Sequence, residues 1–267
     1  MTAAIAMLAA RSGRRVLAIA LTDRLGLAAH LRAEPPEYEP ARVRDGLYLS
    51  AVDRSRALDE YLKLQLRVPQ AAPTKQLSRA LNVLVDTAPG VREIVSIGKP
   101  IYEVWKDEWD LVVVDAPPTG QIASYLRAPE TIRDLVPAGA VQSQAQKLTA
   151  TLTSGDTGLV LVTTPGELPV LETLDTIRRL ARSAAVPGPD VIVNRVIVPI
   201  DLDAATVDGL PPGPARDAAA LHTQLVAGQR EWTGTFPDAP HLPFLFGLIT
   251  PGEVAARLSD LLEEVWS

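Results

Sequence analysis

Asp110-Leu111-Val112-Val113-Val114-Asp115-Ala116-Pro117-Pro118-Thr119-Gly120 is the stretch that decides the fold. Leu111 to Val114 form an unbroken apolar run, which suits a parallel strand covered on both faces. The strand reads as Trp109 to Asp115 and ends on a carboxylate, followed at once by two prolines and a Thr-Gly pair. In an open parallel sheet, ligands bind beyond the carboxyl ends of the strands. A carboxylate there is costly to bury unless it meets a cation or hydrogen-bond donors. A place in the shell of a Mg²⁺ ion beside phosphate would satisfy Asp115. The plainer alternative is an Asp that caps the next helix, with Pro117-Pro118 as loop punctuation.

The same texture recurs on both sides of this stretch. Arg15 to Leu21, Leu47 to Val52, Leu159 to Val162 and Val191 to Val193 are short apolar runs that read as strands. Helical segments separate them. Residues 2–12 are rich in Ala and stop at Ser12-Gly13. Leu58, Tyr61, Leu62 and Leu66 give helical spacing to Arg54–Leu66. Leu77 to Trp105 reads as helical pieces, interrupted near Pro89-Gly90 and ended by Pro100 or beyond. Leu168 to Ala184 reads as an amphipathic helix, and the last helix runs from about Glu253 to Val265. This alternation specifies an α/β fold: a doubly wound, mainly parallel sheet with helices on both faces. The whole chain, 1–267, reads as one domain with a helical subregion at about 54–105. A Pro-, Gly- and Asp-rich loop excursion is expected at about 199–214.

Composition removes several classes. Lys and Arg number 26 against 32 Asp and Glu, a net charge of −6, which argues against a nucleic-acid partner. Cys is absent, so no disulfide, thiolate metal site or Cys nucleophile is available. The three histidines, His30, His222 and His241, form no close-spaced metal-binding pair. Ala3 to Ala10 is apolar, but its basic residues follow rather than precede it, the wrong order for a signal peptide. No apolar run approaches the length of a membrane span, and a cytoplasmic protein is expected.

Three more strand ends carry candidate chemistry. Leu21-Thr22-Asp23 offers a carboxylate that could orient water or touch a metal, or cap the helix beginning near Arg24. Val193-Asn194-Arg195 offers an amide with donors and acceptors for a nucleobase edge, or an Asn that closes a strand. Thr163-Thr164-Pro165 precedes a helix and reads first as a cap.

Taken together these places resemble the ArsA-type ATPases, the family of arsenite-pump ATPases and tail-anchored-protein targeting factors. Asp115-Ala116-Pro117-Pro118-Thr119-Gly120, followed by Ile122 to Arg127 and Pro129, resembles that family's second switch. Thr163 to Val170 with Glu172-Thr173 is similar to its next signature, and Pro243 to Gly247 to its late strand and loop. The likeness runs through essentially the whole chain and is nearest to actinobacterial ArsA-like anion-transporter ATPase subunits, which occur as paired paralogues. The resemblance implies a P-loop NTPase-like fold of the deviant Walker A class, with ATP and Mg²⁺ as cofactors in a dimer interface. Asp115 would act in the metal and water shell, with Pro117, Thr119 and Gly120 beside it. Asp23 would match the first-switch Asp that orients the attacking water. Asn194, with Arg195, would hold adenine.

The departures from the pattern matter as much. The family begins with a strand and a Gly-rich loop ending Gly-Lys-Ser/Thr, whose backbone N–H groups cradle phosphate. No such motif occurs here, and Met1-Thr2-Ala3-Ala4 resembles the helix that follows the loop. Thr22-Asp23-Arg24-Leu25-Gly26 lacks the Pro-Ala-His that usually follows the first-switch Asp. Without Cys there is no arsenite thiolate site, and two methionines build no Met-rich groove for transmembrane helices. The expectation is an ATPase switch in a homodimer, or a heterodimer with an ArsA-like paralogue, inactive in this form because the frame starts at a Met just past the loop. The alternative is a non-catalytic partner of a complete paralogue. A membrane-surface partition ATPase is a weaker fit, because the last helix carries Glu263 and Glu264 and only Arg257.

Overall fold

A computed structural model describes residues 1–65, 90–135, 138–183, 186–201, 204–247 and 250–266. Two sheets form the framework. The first has the order β2-β3-β1-β4, from β1 (Val16–Ala20), β2 (Ala41–Arg44), β3 (Leu47–Ala51) and β4 (Leu111–Asp115). The second has the order β5-β6-β7, from β5 (Val160–Thr163), β6 (Asp190–Val196) and β7 (His241–Pro243). All pairings are parallel except β2 with β3. That antiparallel edge strand was not expected, because Ala41-Arg42-Val43-Arg44 is mostly exposed and carries no apolar run.

Helices cover both faces. One face is covered by α1 (Thr2–Arg11), α2 (Arg24–Leu31) and the last helix, α10 (Pro251–Trp266). Ala3, Ala6 and Ala9 of α1 meet Val16, Ala18 and Ala20 of β1 in one apolar cluster with Leu27 and Leu31 of α2. Small side chains on both elements let the helix lie close to the strand. The opposite face is covered by α4 (Val91–Trp105), α5 (Thr119–Leu135), α6 (Ala140–Leu152) and α7 (Glu167–Ser183). Ile97, Ile101, Ile122, Leu126, Leu148 and Leu180 pack there around Leu161 of β5. The α4 helix continues through Pro100 and ends at Trp105, within the expected helical stretch. The missing N–H costs one helical hydrogen bond, but Ile97 and Ile101 on either side keep the helix anchored in the core.

The sheet is interrupted, not continuous. β4 pairs with β1 alone and β5 pairs with β6 alone, so each has a free edge among the described residues. The two edges share their covering. Ala4, Ile5 and Leu8 of α1 join Val160, Ile192 and Leu242 of the second sheet, while Ala3 and Ala6 join the first. On the other face, α4 packs on β4 and its isoleucines share a cluster with Leu161 of β5. α1 therefore spans a seam between β4 and β5.

The expected helical subregion contains α3 (Arg54–Gln65) and α4; residues 66–89 between them lie outside the described residues. A buried polar cluster ties α3 to α4. Lys99 Nζ lies 2.7 Å from Glu103 Oε1 and 3.7 Å from Glu60 Oε2, with its charge 4.0 Å from the centre of the Tyr38 ring. Lys106 and the Trp109 indole also donate to Glu103. Burial alone would raise the Glu103 pKa, but these donors and the Lys99 charge outweigh it and hold it below the ordinary carboxylate value. The expected loop excursion holds a short helix, α8 (Ala204–Asp208), and leads into α9 (Pro214–Thr233), whose Ala-rich sequence was not read as a helix.

Candidate functional site

The strand ends predicted to carry chemistry lie at the carboxyl ends of the two sheets. Asp115 closes β4 in register with Ala20 of β1. Its carbonyl accepts a hydrogen bond from Leu21 N–H at 3.1 Å, so the chain of β1 turns into Thr22-Asp23 beside it. The Asp115 carboxylate accepts a 2.7 Å hydrogen bond from the Thr2 hydroxyl, which starts α1. A helix N-terminus favours an anion through its free N–H groups and dipole, so a carboxylate at this point is stabilised.

Thr2 is the residue the sequence reading passed over. Residues 2–12 were read for helix propensity alone. The signal for Thr2 is a hydroxyl at the first position of a helix facing the carboxyl end of the sheet, and that becomes visible only when α1 is set against β4.

Downstream of Asp115, Pro117 is buried and Pro118 O accepts from Gln121 N–H at 2.8 Å, which launches α5 at Thr119. Thr119 O accepts from the Thr176 hydroxyl of α7 at 3.2 Å. A Cβ on Gly120 would stand 3.8 Å from Glu172 Oε1, so Glu172 approaches the same turn. Thr119 and Gly120 are thus held between α5 and α7 within five residues of Asp115.

Asp23 caps α2. Its Oδ1 accepts from Gly26 N–H at 2.8 Å. A Cβ on Gly26 would fall 2.1 Å from Asp23 Oδ2, so the close approach needs glycine. Here the capping arrangement is the one adopted, with the carboxylate exposed on the same side as Asp115.

Asn194 and Arg195 belong to the other sheet. The register between β6 and β7 slips by one residue between Val193 and Val196, which makes a bulge at these two positions. Arg195 takes a left-handed backbone with φ +60, and its N–H donates to Asn194 Oδ1 at 2.9 Å. Phe244 N–H donates to Val196 O, which brings Pro243 to Gly247 alongside the bulge. Asp115, Thr2, Asp23, Thr119 and Gly120 therefore gather at the end of the first sheet. Asn194 and Arg195 sit at the end of the second, with the seam between the two groups.

The sequence of residues 1–154 matches the family model described as Anion-transporting ATPase. The chain belongs to the anion-transporting ATPase family. Its relatives include the ATPase BagA of Mycobacterium tuberculosis and a protein of Mycobacterium bovis likewise named as an ATPase. Each is 34% identical over 206 residues, a match that covers 73% of this chain and 60% of the relative.

Within that family the donor set here is one suited to Mg²⁺. Asp115 and Thr2 offer a carboxylate and a hydroxyl, both hard oxygens, at the mouth of a helix N-terminus. Mg²⁺ is commonly held by one or two such groups, with phosphate oxygens and waters completing the octahedron. Among the described residues no cluster of three or more His, Asp or Glu forms an all-protein metal cage. The single Gly-Lys pair of the chain, Gly98-Lys99, is followed by Pro100 in the middle of α4. It can offer no free backbone N–H cradle for phosphate. No helix among the described residues is long and apolar enough to cross a membrane.

Proposed function

We propose that this chain carries the switch and base-binding parts of an ArsA-type ATPase, which hydrolyses ATP to ADP and phosphate and changes conformation with nucleotide state. The observation that supports it most is the 2.7 Å bond between Thr2 and Asp115 at the seam, with Asp23 and the start of α5 on the same end of the sheet. Asp115 and Thr2 would hold Mg²⁺, which neutralises charge on the transferring phosphate. Asp23 would leave its cap on α2 to align the attacking water. Asn194 would read the adenine edge, its side chain fixed by the bulge, with Arg195 exposed next to it.

The phosphate cradle of this reading is the family's strand and Gly-rich loop, set in the seam between β4 and β5. Both free edges are parallel, both faces of the seam are covered, and α1 starts at its carboxyl end. A strand there would be joined to β1 through α1, a parallel connection of the kind that is right-handed as a rule. The nucleotide then meets Asp115 from one sheet and Asn194 from the other. In this reading the two halves close on ATP, within a dimer that opens and closes with nucleotide state.

The test is Mg-dependent ATP hydrolysis by this chain joined to a Gly-Lys-Ser/Thr strand and loop. We expect hydrolysis in the joined protein, a loss of about 10²–10³-fold in Asp115→Asn, as for removal of one electrostatic partner of a transition state, and a smaller loss in Thr2→Ala. Undiminished turnover in Asp115→Asn would sink the assignment. The lack of Gly-Lys-Ser/Thr within these residues favours a second reading, a non-catalytic partner of a complete paralogue. That reading predicts a stable complex on mixing with such a paralogue and no hydrolysis from this chain's own site.

A further inference from the structure

At the far end of the second sheet from the Asn194 bulge lies a cleft of about 490 Å³, within the usual size of a ligand site. The start of β6, the turn before β7 and Trp266 at the end of α10 enclose it. Pro189, Pro237 and Pro240, with the rings of Phe236 and Trp266, form part of a lining in which polar and apolar surface are about equal. Two carboxylates, Asp190 and Asp238, stand in the lining, and no Lys, Arg or His does. Both are exposed, and neither forms an ion pair with a described residue. The Trp266 side chain is 48% exposed.

We propose that this cleft docks an arginine side chain presented by a short extended segment of a partner protein. Charge complementarity selects the occupant: two unpaired carboxylates face a cavity free of cations, in a chain of net charge −6. The apolar and aromatic part of the lining selects the kind of cation. A guanidinium is planar, weakly hydrated and stacks on an indole face, while its three-carbon stem lies along apolar surface. An ammonium holds its water more tightly and gains less from the same walls. Proline-rich walls lose little entropy when the segment is bound.

The cleft is remote from the Asp115 end of the molecule, so its occupancy does not depend on nucleotide binding or on the ATPase reading. The experiment is an NMR titration of the 267-residue chain, without nucleotide, with acetyl-Gly-Arg-Gly-amide and with its Lys and Glu counterparts. We expect shifts confined to residues 189–192, 235–240 and the Trp266 indole, tightest for the Arg peptide and absent for the Glu peptide. Asp190→Asn with Asp238→Asn should weaken binding about tenfold and Trp266→Ala about threefold, the sizes of exposed ion-pair and cation–π contacts. All three side chains are at the surface, so the variants keep the wild-type spectrum elsewhere. Equal shifts with the Glu peptide, or an Arg affinity unchanged in the Asn double variant, would overturn the proposal. Free L-arginine binding as tightly as the peptide would overturn the choice of a protein partner as its source.

Discussion

β1 and β4 are neighbours with the same kind of sequence and different surroundings. Val16 to Ala20 are all buried, whereas Leu111 to Asp115 are all half-buried. β1 has a strand on each side and α1 packed on one face. β4 is contacted by α1 and α4 and, among the described residues, has a strand on one side only. The comparison teaches that an unbroken apolar run records the number of neighbours a strand is built for. Half-buried Val112 and Val113 are the mark of a place left open beside them.

The largest effect expected is Leu17→Ala, which should lower stability by about 3–4 kcal/mol in urea unfolding, as for fully buried Leu elsewhere. Val113→Ala at the seam should cost about 1 kcal/mol, because part of its surface is already wet. Near-equal losses would break the comparison. A rise in the Val113→Ala cost once the seam is filled by a strand would sharpen it.

Between these two in size stands Lys99→Met in the helix that covers β4. Lys99 is fully buried, and its removal leaves Glu103 and Glu60 short of a partner, a loss of about 3 kcal/mol. The same cluster gives a pH signature. The folded-state pKa of Glu103 is below its ordinary value of 4.5, so its stabilisation is complete above that value and disappears as the pH falls through the folded one. The advantage of the wild type over Glu103→Gln in urea midpoint should therefore be constant near neutral pH and shrink below about pH 4.5. An advantage that persists into stronger acid would remove the charge from the explanation and leave only packing.

Asp23→Ala should match Val113→Ala in size, about 1 kcal/mol, from the lost cap on α2. It bears on the site as well. A cap that also orients water in the ATPase reading should give Asp23→Asn near-normal stability and reduced hydrolysis in the joined protein. Loss of both together in Asp23→Asn would reduce Asp23 to a structural role.

The strands of the parallel framework were legible because five apolar runs lie between helical patterns, and the observed bounds fall within two or three residues of those runs. β2 was not, since an exposed edge strand with alternating arginines has no burial to signal it. α9 was hidden because its one buried residue, Gln229, is polar and leaves no apolar stripe. Asp115 stood out as a charge ending an apolar run. Its partner Thr2 lies 113 positions away, and a hydroxyl at a helix start looks the same whether it faces solvent or a carboxylate. The division into two sheets was also invisible, because each run predicts a strand and none predicts which edges meet.

The edge of β4, unpaired among the described residues, has a consequence for handling and for the cell. A four-residue aliphatic strand with unpaired backbone is a template for intermolecular stacking, the first step toward aggregates. Here it is bracketed by two negative charges, Asp110 and Asp115, which act as gatekeepers against a second copy approaching in register. The carboxylate proposed to hold the metal would thus also guard colloidal solubility, and neutralising it should shorten the shelf life of the protein even where the fold is untouched.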